Sequence, residues 1–328
     1  MVHISILALR KAVLASIADS RYVFAMVNDF LKQSGKGPLF DVQLVGLNED
    51  VPLNDGVFSI RPDAVIGEVV RTDLIIIPAL SGDMMTATYL NIPFAEWIAR
   101  RYKNGTEVAS LCTGVFLMAY SGILKGRQCT THWLYANEFR YFYPSVILVD
   151  EKVITDQNGL YSSGGSNAWW NLLLHLVEKF TGREMAIRTA KYFVIDLDRS
   201  NQSPFITFNG LKDHGDELVL KTQEYIELNY QEKLAIDMIS DRFNVNRRTF
   251  ERRFKKATRY TVIEYMQKVK VEAAKKQLEA GRKSILEVML DVGYSDNQAF
   301  RQVFKRIAGM TPVEYRNKYN SSIASNQL

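Results

Sequence analysis

DRFNVNRRTFERRFKKATRYTVIEY (241–265) returns fifty residues later, in degenerate form, as DVGYSDNQAFRQVFKRIAGMTPVEYR (291–316). Asp241 matches Asp291, Phe250 matches Phe300, Phe254 matches Phe304, and Thr261, Glu264 and Tyr265 match Thr311, Glu314 and Tyr315. Similarity at one fixed offset is the mark of a supersecondary unit built twice. In the first copy IDMISDRF (236–243) reads as a short amphipathic helix, Asn244 and Val245 as a turn, and Asn246 as the cap of a helix RRTFERRFKKAT. Phe250, Phe254 and Ala257 recur at i, i+4, i+7 and face a core, which turns Arg247, Arg248, Glu251 and Arg252 outward.

The second copy follows the same plan. SILEVMLDV (284–292) opens with a capping box, Ser284 to Glu287, and Gly293 and Tyr294 make the turn. Asp296 caps a helix whose apolar stripe is Phe300, Val303, Phe304 and Ile307, leaving Asn297, Gln298, Arg301 and Gln302 on its outer face. Each copy closes on a further capping box, TVIE (261–264) and TPVE (311–314). The helix opened by the first runs to Gly281. At about 18 residues it is a strut of roughly 27 Å, matched to two recognition helices near one turn of DNA apart.

Charge supports a polyanionic partner for this region. The chain carries a net +5, and residues 219–320 hold 21 Lys+Arg against 13 Asp+Glu, so the remainder is slightly acidic. Any three-helix bundle has apolar stripes and charged outer faces. A duplicated unit with matching caps, polar second helices and a local excess of cations is not accounted for by that alone.

Residues 219–320 resemble the AraC/XylS DNA-binding domain along its whole length. The resemblance rests on the two stretches above and on KVEAAKKQL, which stands for an RxxxAxxxL-like helix. It implies a sequence-specific transcriptional regulator bound to double-stranded promoter DNA. It places Arg248, Glu251, Arg252, Asn297, Gln298, Arg301 and Gln302 at base- or phosphate-facing positions, with Asn246 and Arg247 at the start of the first recognition helix. Arg suits guanine, and Asn or Gln suits adenine. Lys255, Lys256, Lys305 and Arg306 are expected to meet phosphates.

At 328 residues two domains are expected. Residues 1–195 alternate strand-like and helix-like stretches, the pattern of an α/β domain with a mostly parallel, flavodoxin-like sheet. The predicted strands are ISILAL (4–9), VQLVGL (42–47), DLIIIPAL (73–80), EVASL (107–111) and ILVD (147–150), with helices at SRYVFAMVNDFLKQ and PFAEWIARRYKNG. Residues 196–217 are polar with Pro and Gly and read as a linker, 218–320 form the all-helical domain, and 321–328 (SSIASNQL) read as a disordered tail.

There is no apolar run of about 18 residues and no signal-peptide pattern, so a cytoplasmic protein without membrane attachment is expected. The two cysteines, Cys112 and Cys129, sit in no metal-ligand spacing; no cofactor or metal is expected.

EVASLCTGVFLMAY places Cys112 at a strand-to-helix turn of nucleophile-elbow type, where a helix N-terminus would lower the thiol pKa, and His132 in CTTHW would serve as a base. The alternative is a cysteine that only packs. The wider pattern over 1–195 resembles the ThiJ/PfpI superfamily, relatives of class I glutamine amidotransferases, through SLCTGVFLMAYSGILKGRQCTTHW and GLYSSGGSNAWWNLLLHLVEKFTG. Fusion of such a domain to an AraC-type module is itself a known regulator family.

The chain departs from the enzymes of that superfamily. They bring a Glu to the cysteine from the loop after the first strand, where this chain has Ser16, and the oxyanion loop is altered to PALSGD (78–83). Cys112, His132 and Ser16 are therefore read as the vestige of a catalytic site, one that binds a small-molecule effector of unnamed chemistry or supports a homodimer. Two other readings stay open here. One is an amide hydrolase with a DNA tether; the other is a redox-sensing Cys112.

Overall fold

The computed structural model describes residues 1–320 apart from 198 and 200; the tail at 321–328 lies outside the described residues. The chain forms two compact units, Met1–Gln202 and Ser203–Leu328.

The first unit runs β1 (Val2–Leu7), α1 (Leu14–Gln33), β2 (Phe40–Gly46), β3 (Val51–Leu53), β4 (Phe58–Ile60), β5 (Ala64–Val65), β6 (Leu74–Ile77), α2 (Met84–Tyr89), α3 (Ile92–Lys103), β7 (Glu107–Ser110), α4 (Val115–Tyr120), β8 (Gln128–Cys129), α5 (Ala136–Phe142), β9 (Ile147–Leu148), β10 (Ile154–Gln157), β11 (Leu160–Ser163), α6 (Ala168–Thr181) and α7 (Arg183–Phe193). Seven strands form one sheet in the order β10-β11-β7-β6-β1-β2-β5. Its pairings are parallel except for β10 against β11. The apolar runs Ile4–Leu7 and Leu74–Ile77 are wholly buried, as strands covered on both faces must be. Helices α1, α3, α4 and α6 supply the rest of the core through Phe24, Phe94, Trp97, Phe116 and Leu172. Because β1 lies between β6 and β2, the chain leaves β1 to one side and later returns on the other. This makes a topological switch point at the carboxyl ends of the central strands.

Two predicted features differ from the structure. Ile147–Leu148 is a strand, but it pairs with Gln128–Cys129 in a separate two-stranded ribbon. Its apolar run is short and Ile147 is half exposed, so it cannot fill a buried lane. The lane beside β7 is taken by LYSS (160–163), which no apolar run announces. Its serines are buried because their hydroxyls are satisfied: Ser162 Oγ accepts from the Thr130 N–H at 2.7 Å and Ser163 Oγ from the Cys112 N–H at 3.0 Å.

The stretch 196–217 contains the division between the units. Gln202 is buried in the first unit, donating to Thr131 O at 2.9 Å and Asp150 O at 2.7 Å. Phe208 belongs to the second, its ring 5.2 Å from Tyr265.

The second unit contains α8 (Glu217–Leu228), α9 (Ile236–Arg242), α10 (Arg247–Thr258), α11 (Val262–Ala280), α12 (Ile285–Asp291), α13 (Asn297–Ala308) and α14 (Pro312–Tyr319). Each repeat has its own core. Val219, Ile239, Phe250, Phe254 and Tyr265 pack in the first, and Leu278, Val288, Phe300, Phe304 and Tyr315 in the second. Helix α11 belongs to both, giving Val262 and Tyr265 to one core and Val271, Ala274 and Leu278 to the other.

Gly293 ends α12 at φ +75, and a Cβ there would lie 2.2 Å from the Gln231 carbonyl oxygen. Gly215 has φ +67 with open space around it. Gly215→Ala is expected to cost only the left-handed conformation, about 1 kcal/mol. Gly293→Ala adds a clash with backbone and should lower the urea midpoint by a clearly larger amount; equal midpoints would remove the packing argument.

Candidate functional site

The outward faces of α10 and α13 are built in the same way. Asn246 accepts the Arg248 N–H at 3.0 Å to start α10, and Asp296 accepts the Ala299 N–H at 2.6 Å to start α13. Phe250 and Phe254, and their counterparts Phe300 and Phe304, are wholly buried on the inner side. Behind them Tyr265 and Tyr315 pack with ring centroids 5.4 Å from Phe254 and 5.6 Å from Phe304. Tyr265 donates to Glu227 and Tyr315 to Glu279, each at 2.6 Å. Burial and the adjacent carboxylate push both phenols above their ordinary range.

The capping boxes that open α11 and α14 repeat as well. Glu264 and Glu314 close capping boxes with Thr261 and Thr311, and the backbone and side-chain hydrogen bonds to those threonines hold both carboxyls below their ordinary range.

Of the predicted DNA-facing residues, Asn246, Arg247, Arg248, Arg252, Lys255, Lys256, Asn297, Gln298, Arg301, Gln302, Lys305 and Arg306 are exposed, and Glu251 is half-buried. They are not equally free. Arg247 is held by Asp237 at 3.0 Å and lies 3.6 Å from Glu251, so these charges offset one another. Arg306 donates to Gln267 on α11 at 2.6 Å. Among the described residues, the side chains of Arg248, Arg252, Lys255, Lys256, Arg301 and Lys305 enter no ion pair. The sequence reading omitted Arg253, which points the other way and ties α10 to Asp216 at 2.5 Å. Its spacing, three residues after Phe250, sets it on the flank of the buried stripe, whereas Arg252 lies opposite that stripe.

The elbow at Cys112 has the expected backbone. Cys112 has φ +51, between the end of β7 and the turn into α4. Gly114 passes so close to β6 that a Cβ would lie 2.5 Å from the Pro78 carbonyl oxygen. The chemistry differs from the expectation of an acidified thiol. Cys112 is 4% exposed, and burial pushes its pKa up to about 11, outweighing the opposing hydrogen bonds from Thr113 and the His132 backbone.

The presumed partners do not form a relay with it. The His132 ring accepts the Leu134 N–H through Nδ1 at 3.1 Å, and burial lowers its pKa. Ser16 donates to Val13 O at 2.7 Å and accepts the Ala79 N–H at 3.1 Å, joining the start of α1 to the loop after β6. Asp19, one turn further along α1, accepts from Trp169 Nε1 at 3.0 Å, and burial raises its pKa. Among the described residues no group of three His, Cys, Asp or Glu side chains is placed to hold a metal. Among the same residues no helix is long and apolar enough to cross a membrane.

A doubled, cation-bearing helix-turn-helix unit in one chain with an α/β elbow domain defines a two-domain DNA-binding protein. Comparison with known proteins agrees in both halves: residues 239–318 match a helix-turn-helix domain and residues 28–179 the DJ-1/PfpI family. The chain thus carries a helix-turn-helix domain of AraC type and a DJ-1/PfpI domain, and its homologues include HTH-type transcriptional regulators.

It is 25% identical over 264 residues to the HTH-type transcriptional regulator GbdR of Pseudomonas aeruginosa, covering 80% of this chain and 71% of that one. With the HTH-type transcriptional regulator GlxA of Rhizobium meliloti it shares 21% identity over 228 residues, 68% and 69% of the two chains. A solved transcriptional regulator protein from Vibrio parahaemolyticus superposes with a TM-score of 0.52 at 21% identity, over 58% of this chain and 98% of that one, and shows the fold.

The raised thiol pKa has a direct consequence. At neutral pH Cys112 is protonated, so peroxide or iodoacetamide should modify it far more slowly in the native than in the urea-unfolded chain, with the native rate climbing only as pH approaches 11. Rapid native modification at pH 7, followed by mass spectrometry, would return the redox-sensor reading.

Proposed function

We propose that this protein regulates transcription by placing α10 and α13 in two successive major grooves of promoter DNA. The observation that carries the reading is the paired construction of these helices: identical Phe–Phe anchors within, and exposed Arg, Lys, Asn and Gln without. The 19 residues of α11 make a rod of roughly 28 Å between the two repeats, near the length of one DNA turn. Arg248 and Arg252 are suited to guanine edges, and Asn297, Gln298 and Gln302 to adenine. Lys255, Lys256 and Lys305 add sequence-independent phosphate contacts.

The N-terminal unit is read as a sensor or homodimerisation domain and not a catalyst. A carboxylate that would orient the thiol is replaced by Ser16, and the thiol itself is held neutral. Regulators of this kind work in the cytoplasm, where two free cysteines remain reduced.

Selection from a random duplex library by the full chain is expected to give a bipartite motif with centres about ten base pairs apart. Arg252→Ala should cost about 1–3 kcal/mol at the selected site and relax base preference in one half. Lys256→Ala should weaken selected and random DNA alike and reduce the salt dependence. Equal losses on both DNAs for both variants would remove the division between reading and positioning; no enrichment by the wild type would remove the proposed function.

A further inference from the structure

We propose that Arg10 and the cavity beside it form a binding site for a small organic monocarboxylate, separate from the elbow at Cys112. The cavity, about 100 Å³, is lined by Ala8 and Arg10 after β1, by Leu47, Asn48 and Val51 after β2, and by Asn91 after α2. A wider depression of about 380 Å³ shares Arg10 and Leu90 with it. Both lie beyond the carboxyl end of β1, next to the switch point where ligands of open α/β sheets bind.

The loop that presents Arg10 is clamped. Asn91 is wholly buried, 81 residues away in sequence, and its side chain holds Arg10 by both backbone groups. Oδ1 accepts the Arg10 N–H at 3.0 Å, and Nδ2 donates to the Arg10 carbonyl at 2.9 Å and to Ala87 O at 2.7 Å. The next residue, Lys11, is held at φ +61, a left-handed conformation costly for any residue that carries a Cβ. The backbone and the hydroxyl of Ser81 both donate to the Lys11 carbonyl, at 2.8 and 2.9 Å. A strained turn held by a buried amide fixes where the Arg10 side chain starts, which is the preorganisation a binding residue needs.

The charges select the ligand. Lys11 is already paired with Asp55 at 3.0 Å, while the Arg10 guanidinium enters no ion pair among the described residues. One free planar fork matches one carboxylate in bidentate fashion. Asp50, which accepts from Ser59, and Asp55 both line the site and would repel a dianion such as phosphate more strongly than a monoanion. Ala8, Leu47, Val51 and Leu90 offer an apolar wall to a short alkyl chain. At Cys112, by contrast, Ser16, Thr113 and Thr131 are all buried and hydrogen-bonded to neighbouring main chain.

Binding stands on this geometry alone; its role as an effector site rests on the regulator reading. The test is ligand-observed NMR on the full chain without DNA, using acetate, butyrate, butyramide and inorganic phosphate as probes. Butyrate should bind the wild type and compete with acetate, while butyramide and phosphate should not. Arg10→Ala should weaken butyrate by about tenfold or more, and Arg10→Lys by less. Unchanged unliganded melting temperatures would certify the fold of both variants; if Arg10→Ala melts early, Arg10→Lys alone carries the comparison. The proposal is overturned if butyrate does not bind, if butyramide or phosphate binds as well, or if the folded variants bind like wild type. Failure here leaves DNA selection untouched, and failure of DNA selection leaves this site standing.

Discussion

Under each recognition helix a tyrosine hydroxyl is given to a glutamate of the helix that begins the repeat, Tyr265 to Glu227 and Tyr315 to Glu279. A short hydrogen bond to a carboxylate is about twice as strong as one between neutral groups. Here it fastens the helix that follows each recognition helix to the helix that precedes the pair. The aromatic ring of the same tyrosine closes over Phe254 or Phe304. With its inner side held this way, each of these helices keeps its place without packing from its outer side, which stays exposed. Glu279 and Tyr265 lie on the same helix, α11, so it is the last element of one repeat and the first of the next. Separation and relative rotation of the two reading faces follow from one rigid rod.

The N-terminal unit shows that elbow geometry and elbow chemistry are separable. Strand, strained residue and helix stand in order at Cys112, and Gly114 allows the close approach to β6 that the turn requires. Reactivity needs a thiolate in addition, and the hydrogen bonds from Thr113 and the His132 backbone offset only part of the loss of water. The Ser16 hydroxyl tethers the start of α1 to the loop after β6.

Legibility in the sequence followed the range of the interactions. Caps Asn246, Ser284, Asp296, Thr261 and Thr311 were readable because each acts within three residues of itself. The apolar strands β1, β6 and β7 were readable because double-sided burial demands continuous apolar runs. Strand β11 was not, since its buried serines owe their place to Thr130, Thr155 and Cys112, partners as far as 51 residues away. The clamp of Asn91 on Arg10 is more distant still and left no local trace.

The sequence by itself determined the duplicated helical unit, its caps, its inward phenylalanines and the identity of the side chains on its outer faces, because helix periodicity and capping are local properties of the chain. Tertiary structure alone decided which of those side chains are spoken for. Arg247 is drawn to Asp237, Arg253 to Asp216 and Arg306 to Gln267, while Arg248 and Arg252 enter no such pair. It also decided that Cys112 is a buried, protonated thiol. Ion pairing and desolvation depend on what surrounds a group in space, and sequence spacing does not encode those surroundings.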